Sequence, residues 1–212
     1  MTQALRLARA TSTPAPPEGR AEAILDIARV VFAEKGFDGA SMNDLARAAG
    51  MSVGNFYRYF RSKDAIVQAL IARDMADIEG TFASIAGSDD PIGALRQGIH
   101  ARIDSATRDR DGALWAEITA AAARRPEIGE AMRAFEAGLT RLFVQVFARA
   151  RGWPVDRAQA RFAGHAKLIL LLVKGSGLCQ PEQISPQGDL QPLILRMIDQ
   201  TLAEILSHPD VE

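Results

Sequence analysis

The segment SMNDLARAAGMSVGNFYRYFRSKD, residues 41–64, restricts the fold more than any other part of the chain, because helix start and stop signals recur within it at close intervals. Ser41 can N-cap a first helix, with Asp44 three positions on as the reciprocal partner of a capping box. Leu45 and Ala48 give that helix a narrow apolar edge, and Gly50 stands where the chain must reverse through a left-handed residue. Ser52 can cap a second helix running through Val53 to Phe60. Ser62 starts a third helix, with Asp64 in its first turn, where the helix dipole favours a carboxylate. Helix, tight turn, helix is the arrangement that lays a second helix in the DNA major groove.

The second helix has the side chains for that use. Phe56 and Phe60, spaced i and i+4, share a face that can anchor it to a core. Val53, Gly54, Asn55, Tyr57, Arg58 and Tyr59 take the remaining surface. Gly54 costs about 1 kcal/mol of helix stability relative to alanine, a cost that makes sense where a backbone must approach another surface closely. Tyr57, Tyr59 and Lys63 are expected to donate to phosphates, whereas Arg58 and Asn43 are expected at base edges, with Val53 and Gly54 in close contact. Ser41, Ser52 and Asn55 complete the candidate DNA-facing set.

The stretch from Arg20 to about Leu70 resembles the DNA-binding domain of the TetR/AcrR family of one-component regulators. Three blocks carry the resemblance: Ala33-Glu34-Lys35-Gly36-Phe37 at the end of an amphipathic first helix, Ser41 to Ala46, and Gly50 to Phe60, followed by Arg61-Ser62-Lys63-Asp64. The family pattern has Leu-Tyr where this chain has Phe56-Tyr57. The resemblance implies a homodimer on a pseudo-palindromic operator, with a small molecule in the C-terminal helical part acting as the effector.

Composition is that of an ordinary soluble chain: 212 residues, 48% hydrophobic and 24% charged, with no sustained alternation of apolar and polar residues, so an all-α fold is expected. The net charge of −1 is unevenly spread. Residues 1–63 carry nine Lys/Arg against six Asp/Glu, and residues 64–212 carry sixteen against twenty. A basic head on an acidic body suits a DNA reader joined to a sensor. The single Cys179 excludes an internal disulfide and suits a reducing cytoplasm; it reads as an inert apolar residue in preference to a redox sensor. His100, His165 and His208 have no metal-ligand spacing, and neither a catalytic motif nor a cofactor-binding motif is present, which leaves an all-α enzyme without support.

Residues 1–19 read as a flexible leader without the apolar run of a signal peptide, and its Arg6 and Arg9 have the chemistry to reach a minor groove. A DNA-binding domain is expected over 20–65 and a sensing and dimerisation domain over 66–212. Helices are expected at about 20–35, 63–86, 91–107, 111–124, 126–151, 155–179 and 190–207, with Gly36 closing the first and Gly87-Ser88-Asp89-Asp90-Pro91 breaking the chain after the long connecting helix. The loop 180–188 is polar with two prolines. Leu114-Trp115-Ala116-Glu117 and Arg124 to Ile128 resemble a pattern found in some branches of the family.

The run Leu168 to Val173 is apolar all round and far too short to span a bilayer, which takes about 20 apolar residues. A helix apolar on every side must be covered on every side. With Leu193, Ile194, Leu195, Met197 and Ile198 of the last helix it predicts a four-helix dimer interface containing Ile169, Leu172, Val173, Ile194, Met197 and Ile198; the competing reading is a central helix buried in a monomer. For the effector, His100, Trp115, Ile118, Phe143 and His165 are the candidate contacts, out of a wider set that includes Phe82, Phe135, Leu139 and Phe162, with plain core packing as the competing reading. Trp115 and His165 each pair an apolar body with one polar group able to orient a ligand. A regulator controlled by a protein partner shares every feature of the head, and only the presence of a pocket separates the two.

Overall fold

The structure is a computed structural model that describes residues 17–106, 111–177, 179 and 190–209. Arg6, Arg9, the first sixteen residues and the loop 180–188 lie outside the described residues. The described elements are all helical: α1 (Pro17–Lys35), α2 (Met42–Ala48), α3 (Val53–Phe56), α4 (Lys63–Ala86), α5 (Pro91–Ala106), α6 (Asp111–Ala122), α7 (Pro126–Arg151), α8 (Val155–Ser176) and α9 (Leu190–Ser207). Most ends fall where caps and breakers predict. The first helix begins earlier than expected, at Pro17, whose fixed φ and missing N–H suit a first helical turn.

Two apolar clusters hold these helices together. The first gathers Ile24, Leu25, Ala28 and Phe32 of α1, Leu45 and Ala46 of α2, Phe56, Phe60, and Ile66, Val67 and Leu70 of α4. It does not stop at the boundary expected near residue 65. Leu114, Ile118 and Ala121 of α6 and Ile128 and Met132 of α7 belong to the same cluster, so the head is built onto the body through α6 as well as α4. On α2 the buried edge is Leu45, Ala46 and Ala49, while Ala48 faces solvent, the reverse of its expected place.

The second cluster fills the body with Ile92, Leu95, Ile99 and Ile103 of α5, Phe143, Val144 and Phe147 of α7, Phe162, Ala166 and Ile169 of α8, and Ile194, Ile198, Leu202 and Ile205 of α9. A run of edge-on rings passes through it, with Phe82 to Phe143 at 5.0 Å, Phe143 to Phe147 at 6.1 Å and Phe147 to Phe162 at 6.3 Å. Edge-to-face geometry at these separations is a favoured aromatic arrangement. Among the described residues, no helix is long and apolar enough to cross a membrane.

This packing corrects the expected interface. Ile169, Ile194 and Ile198 are covered by their own chain, and Leu172 and Val173 are half-buried against the same core. The large apolar side chains that α8 and α9 leave outside are Leu168, Leu171, Leu193 and Met197, with Val155 and Leu206 at the helix ends. Of the expected set, only Met197 is among them. Periodicity identifies which residues share a face, but in a helix apolar all round it does not say which face its own domain covers.

Candidate nucleic-acid interface

Local chemistry sets the shape of the α2–α3 corner. The Ser41 hydroxyl accepts from the Asp44 N–H at 3.1 Å and the Asp44 carboxylate accepts from the Ser41 N–H at 3.0 Å, a complete capping box. Lys35 donates to the same carboxylate at 2.8 Å, and that bond, followed by those from Ser41, holds the Asp44 pKa far below the usual carboxylate range. Gly50 reverses the chain at φ +62°, a left-handed conformation that costs glycine nothing. Ser52 then caps α3 by accepting from the Asn55 N–H at 3.3 Å.

The reading helix is shorter than expected. Regular α-helix covers only Val53–Phe56. Beyond it Arg58 N–H bonds to Asn55 O at 3.2 Å and Tyr59 N–H to Phe56 O at 3.0 Å, both i to i−3, so the chain tightens into turns before Phe60. β-Branched Val53, Gly54 and Asn55 all favour the helix weakly, which accounts for the early end. The anchoring survives the tightening, because Phe56 and Phe60 both stay buried.

Ser41, Asn43, Ser52, Val53, Gly54, Asn55, Tyr57 and Arg58 are exposed at this corner. A Cβ built on Gly54 would meet nothing, so the closeness that its missing side chain allows is toward something outside the chain. Tyr59 is half-buried and packs against the first cluster, leaving less of its ring outward than expected. Arg47 in the last turn of α2 and Arg61 just before α4, missed in the sequence, are exposed, and like Arg58 they form no ion pair among the described residues. Their signal in the sequence is only that basic residues flank the turn.

Lys63 is the clear departure. Its ammonium donates to Phe37 O at 2.6 Å and Ala40 O at 2.7 Å, reaches Asp38 O at 3.4 Å, and lies 4.7 Å from the centre of the Phe37 ring. Burial pushes its pKa down from the ordinary lysine value. It ties α4 to the α1–α2 turn, with its donors engaged by the carbonyls of that turn.

The candidate effector contacts do not converge. Trp115 stacks on Phe135 with ring centres 5.1 Å apart, and with Ile118 it packs in or against the first cluster. Phe143 is part of the aromatic run in the second cluster. His165 sits edge-on to Phe162 with its Nε2 3.6 Å from Glu204. His100 lines an open groove of about 710 Å³ between α5 and α9, together with Arg96, Leu195, Arg196 and Asp199. There His100 Nε2 and Arg96 Nε both lie 3.1 Å from Asp199 Oδ1. A second hollow of about 450 Å³ lies beside Trp153, Arg157, Arg161 and His208. Neither hollow is lined by Trp115, Ile118, Phe143 or His165.

Known proteins share both the sequence and the shape. Residues 24–70 match the family described as bacterial regulatory proteins, tetR family, and residues 91–204 match the BetI-type transcriptional repressor, C-terminal. UidR, a helix-turn-helix transcriptional regulator of Escherichia coli K12, is 33% identical over 118 residues, covering 52% of this chain and 55% of that protein. The transcriptional repressor KstR2 of Rhodococcus jostii is 34% identical over 82 residues, 36% of this chain and 40% of its own length. The matches thus span about half the length, or less, of these curated relatives. Among solved structures, Salmonella enterica GusR superposes with a TM-score of 0.69 at 24% identity, over 91% of this chain and 98% of that one. SmeT in complex with triclosan superposes with a TM-score of 0.70 at 20% identity, over 92% and 100%. Both shape matches are to the whole fold, head and body together. With its helix-turn-helix head and a BetI-type body, the chain is a member of the TetR family of bacterial transcriptional regulators, a DNA-binding protein and not an enzyme.

Proposed function

We propose that this regulator is a repressor that binds a pseudo-palindromic operator as a homodimer and is released when a small molecule binds its helical body. The observation that carries the reading is the corner of α2 and α3, where Phe56 and Phe60 are buried behind a surface of Asn43, Val53, Gly54, Asn55, Tyr57 and Arg58. Two such corners would enter successive major grooves about 34 Å apart. The dimer is supported by the outward apolar residues Leu168 and Leu171 of α8 and Leu193 and Met197 of α9. Ligand control is supported by the BetI-type match and by the neighbouring fold of SmeT, which holds triclosan. Such a ligand acts only by binding the released state more tightly than the DNA-competent one.

Selection of duplexes from a randomised pool tests the DNA reading. The wild type is expected to enrich an inverted repeat. Arg58→Ala is expected to relax preference at one position of each half-site by about 1–3 kcal/mol, while Tyr57→Phe weakens all sequences alike through a lost phosphate contact. Equal losses on every sequence for both variants would remove Arg58 from base readout. The dispersal of Trp115, Phe143 and His165 into packed surroundings favours a second reading, control by a protein partner. Operator release by a protein-free extract of host metabolites separates the two.

A further inference from the structure

The α1–α2 turn, residues 36–40, belongs to the DNA-reading head, yet side chains of the body hold it. Glu117 of α6 accepts a hydrogen bond from the main-chain N–H of Phe37 at 2.9 Å. The turn is shaped to admit that carboxylate: Gly36 has φ +74°, and a Cβ there would stand 3.0 Å from Glu117 Oε2. Beside it, the Arg125 guanidinium lies 4.9 Å from the centre of the Phe37 ring and 3.3 Å from both oxygens of Asp64. Arg124 adds a 2.8 Å ion pair to Asp38 at the exposed edge. Lys63 closes the turn from the α4 side.

The head is therefore attached in three ways: through the continuous helix α4, through the apolar cluster it shares with α6 and α7, and through this turn, which sits on α6 by a hydrogen bond to backbone that side-chain rotation of Phe37 cannot release. Apolar packing is non-directional, whereas a hydrogen bond has a preferred direction and so fixes the angle of the turn on α6. We propose that Glu117, supported by Arg125, is a positioning residue for operator binding: it fixes the tilt of the head on the body and so sets the half-site spacing that the dimer accepts.

This inference rests on the dimeric operator reading above, and the experiment separates the failure of one from the failure of the other. The probe is the inverted repeat selected by the wild-type protein, remade with its central spacer shortened or lengthened by single base pairs, each of which moves the half-sites about 3.4 Å and turns them about the duplex axis. Wild type is expected to lose about tenfold or more in affinity on each altered spacer. Glu117→Ala is expected to flatten that profile to within about threefold, and Glu117→Gln, which keeps an oxygen acceptor for the Phe37 N–H, to restore it. Loss of stability alone would lower affinity by one factor on every spacer, so a parallel drop, or an unchanged profile, overturns the proposal. Arg125→Ala, at a half-buried side chain, is the second variant and is expected to flatten the same profile. If neither variant folds, the grip is structural and the proposal falls; a wild type without any spacer preference removes the dimeric reading itself.

Discussion

Leu171→Arg is expected to leave a folded protein that no longer dimerises and that has lost most of its operator affinity. Leu171 is 67% exposed; Leu168, one turn earlier on α8, is 40% exposed, and Leu193 and Met197 of α9 are 50% and 47% exposed. Covering what these side chains still expose is worth roughly 0.6–2 kcal/mol each, so a second copy laid on this face gains apolar burial that the single chain lacks. An arginine there would bring an unpaired charge into the contact, at a cost of about 3–5 kcal/mol. At about 1.4 kcal/mol per tenfold, the dimer would weaken by about two to four orders of magnitude. Operator affinity falls with it, because a monomer holds one half-site instead of two. Because Leu171 touches water in the single chain, the substitution spares the fold, whereas arginine at Ile169, fully buried in the body core, would destroy it. Sedimentation equilibrium and operator titration on the same samples check the outcome. A variant that sediments as a dimer with wild-type operator affinity would show that the two chains meet elsewhere.

The contrast between Leu171 and Ile169 shows where sequence reasoning reaches its limit. Caps are local, so Ser41, Ser52, Ser62, Gly36 and Gly50 are legible as signals, and each acts in the structure as its spacing predicts. The buried stripe of Ile24, Ala28, Val31 and Phe32 is equally legible, because one face of α1 is polar and the other is not. Around residues 168–173 every position is apolar, and periodicity has no polar face to orient it. What decides is the packing of α5, α7 and α9 on one side, which turns Ile169 in and Leu171 out. Likewise, Trp115 and Phe143 are legible as large central side chains, but whether such a ring lines a pocket or fills a core depends on partners remote in sequence. Here those partners are Phe135 for the one and Phe82 for the other.

Lys63 depends on remote groups of the same kind, and its substitution carries the other large expected effect. Replacing it with methionine keeps the aliphatic stem over Phe37 and removes every donor. The carbonyls of Phe37 and Ala40 then lose bonds of 2.6 and 2.7 Å to a cation, in a turn whose Phe37 side chain is fully buried. Hydrogen bonds to charged groups are worth about 1.5–3 kcal/mol each, and discounting for the half-exposed ammonium leaves an expected loss of roughly 2–4 kcal/mol. In a chain of this size each kcal/mol moves the melting temperature by about 2–4 °C, so a fall of roughly 5–15 °C is expected. The DNA measurement is what separates this role from the one that a basic residue after a helix-turn-helix would ordinarily suggest. A phosphate contact contributes close to one unit to the slope of log affinity against log salt. With its ammonium already held by backbone oxygens, Lys63 contributes none, and Lys63→Met should keep the wild-type slope at temperatures well below its melting point. A slope lower by about one unit with the melting temperature unchanged would mean that the side chain leaves the turn for the phosphate backbone when DNA binds.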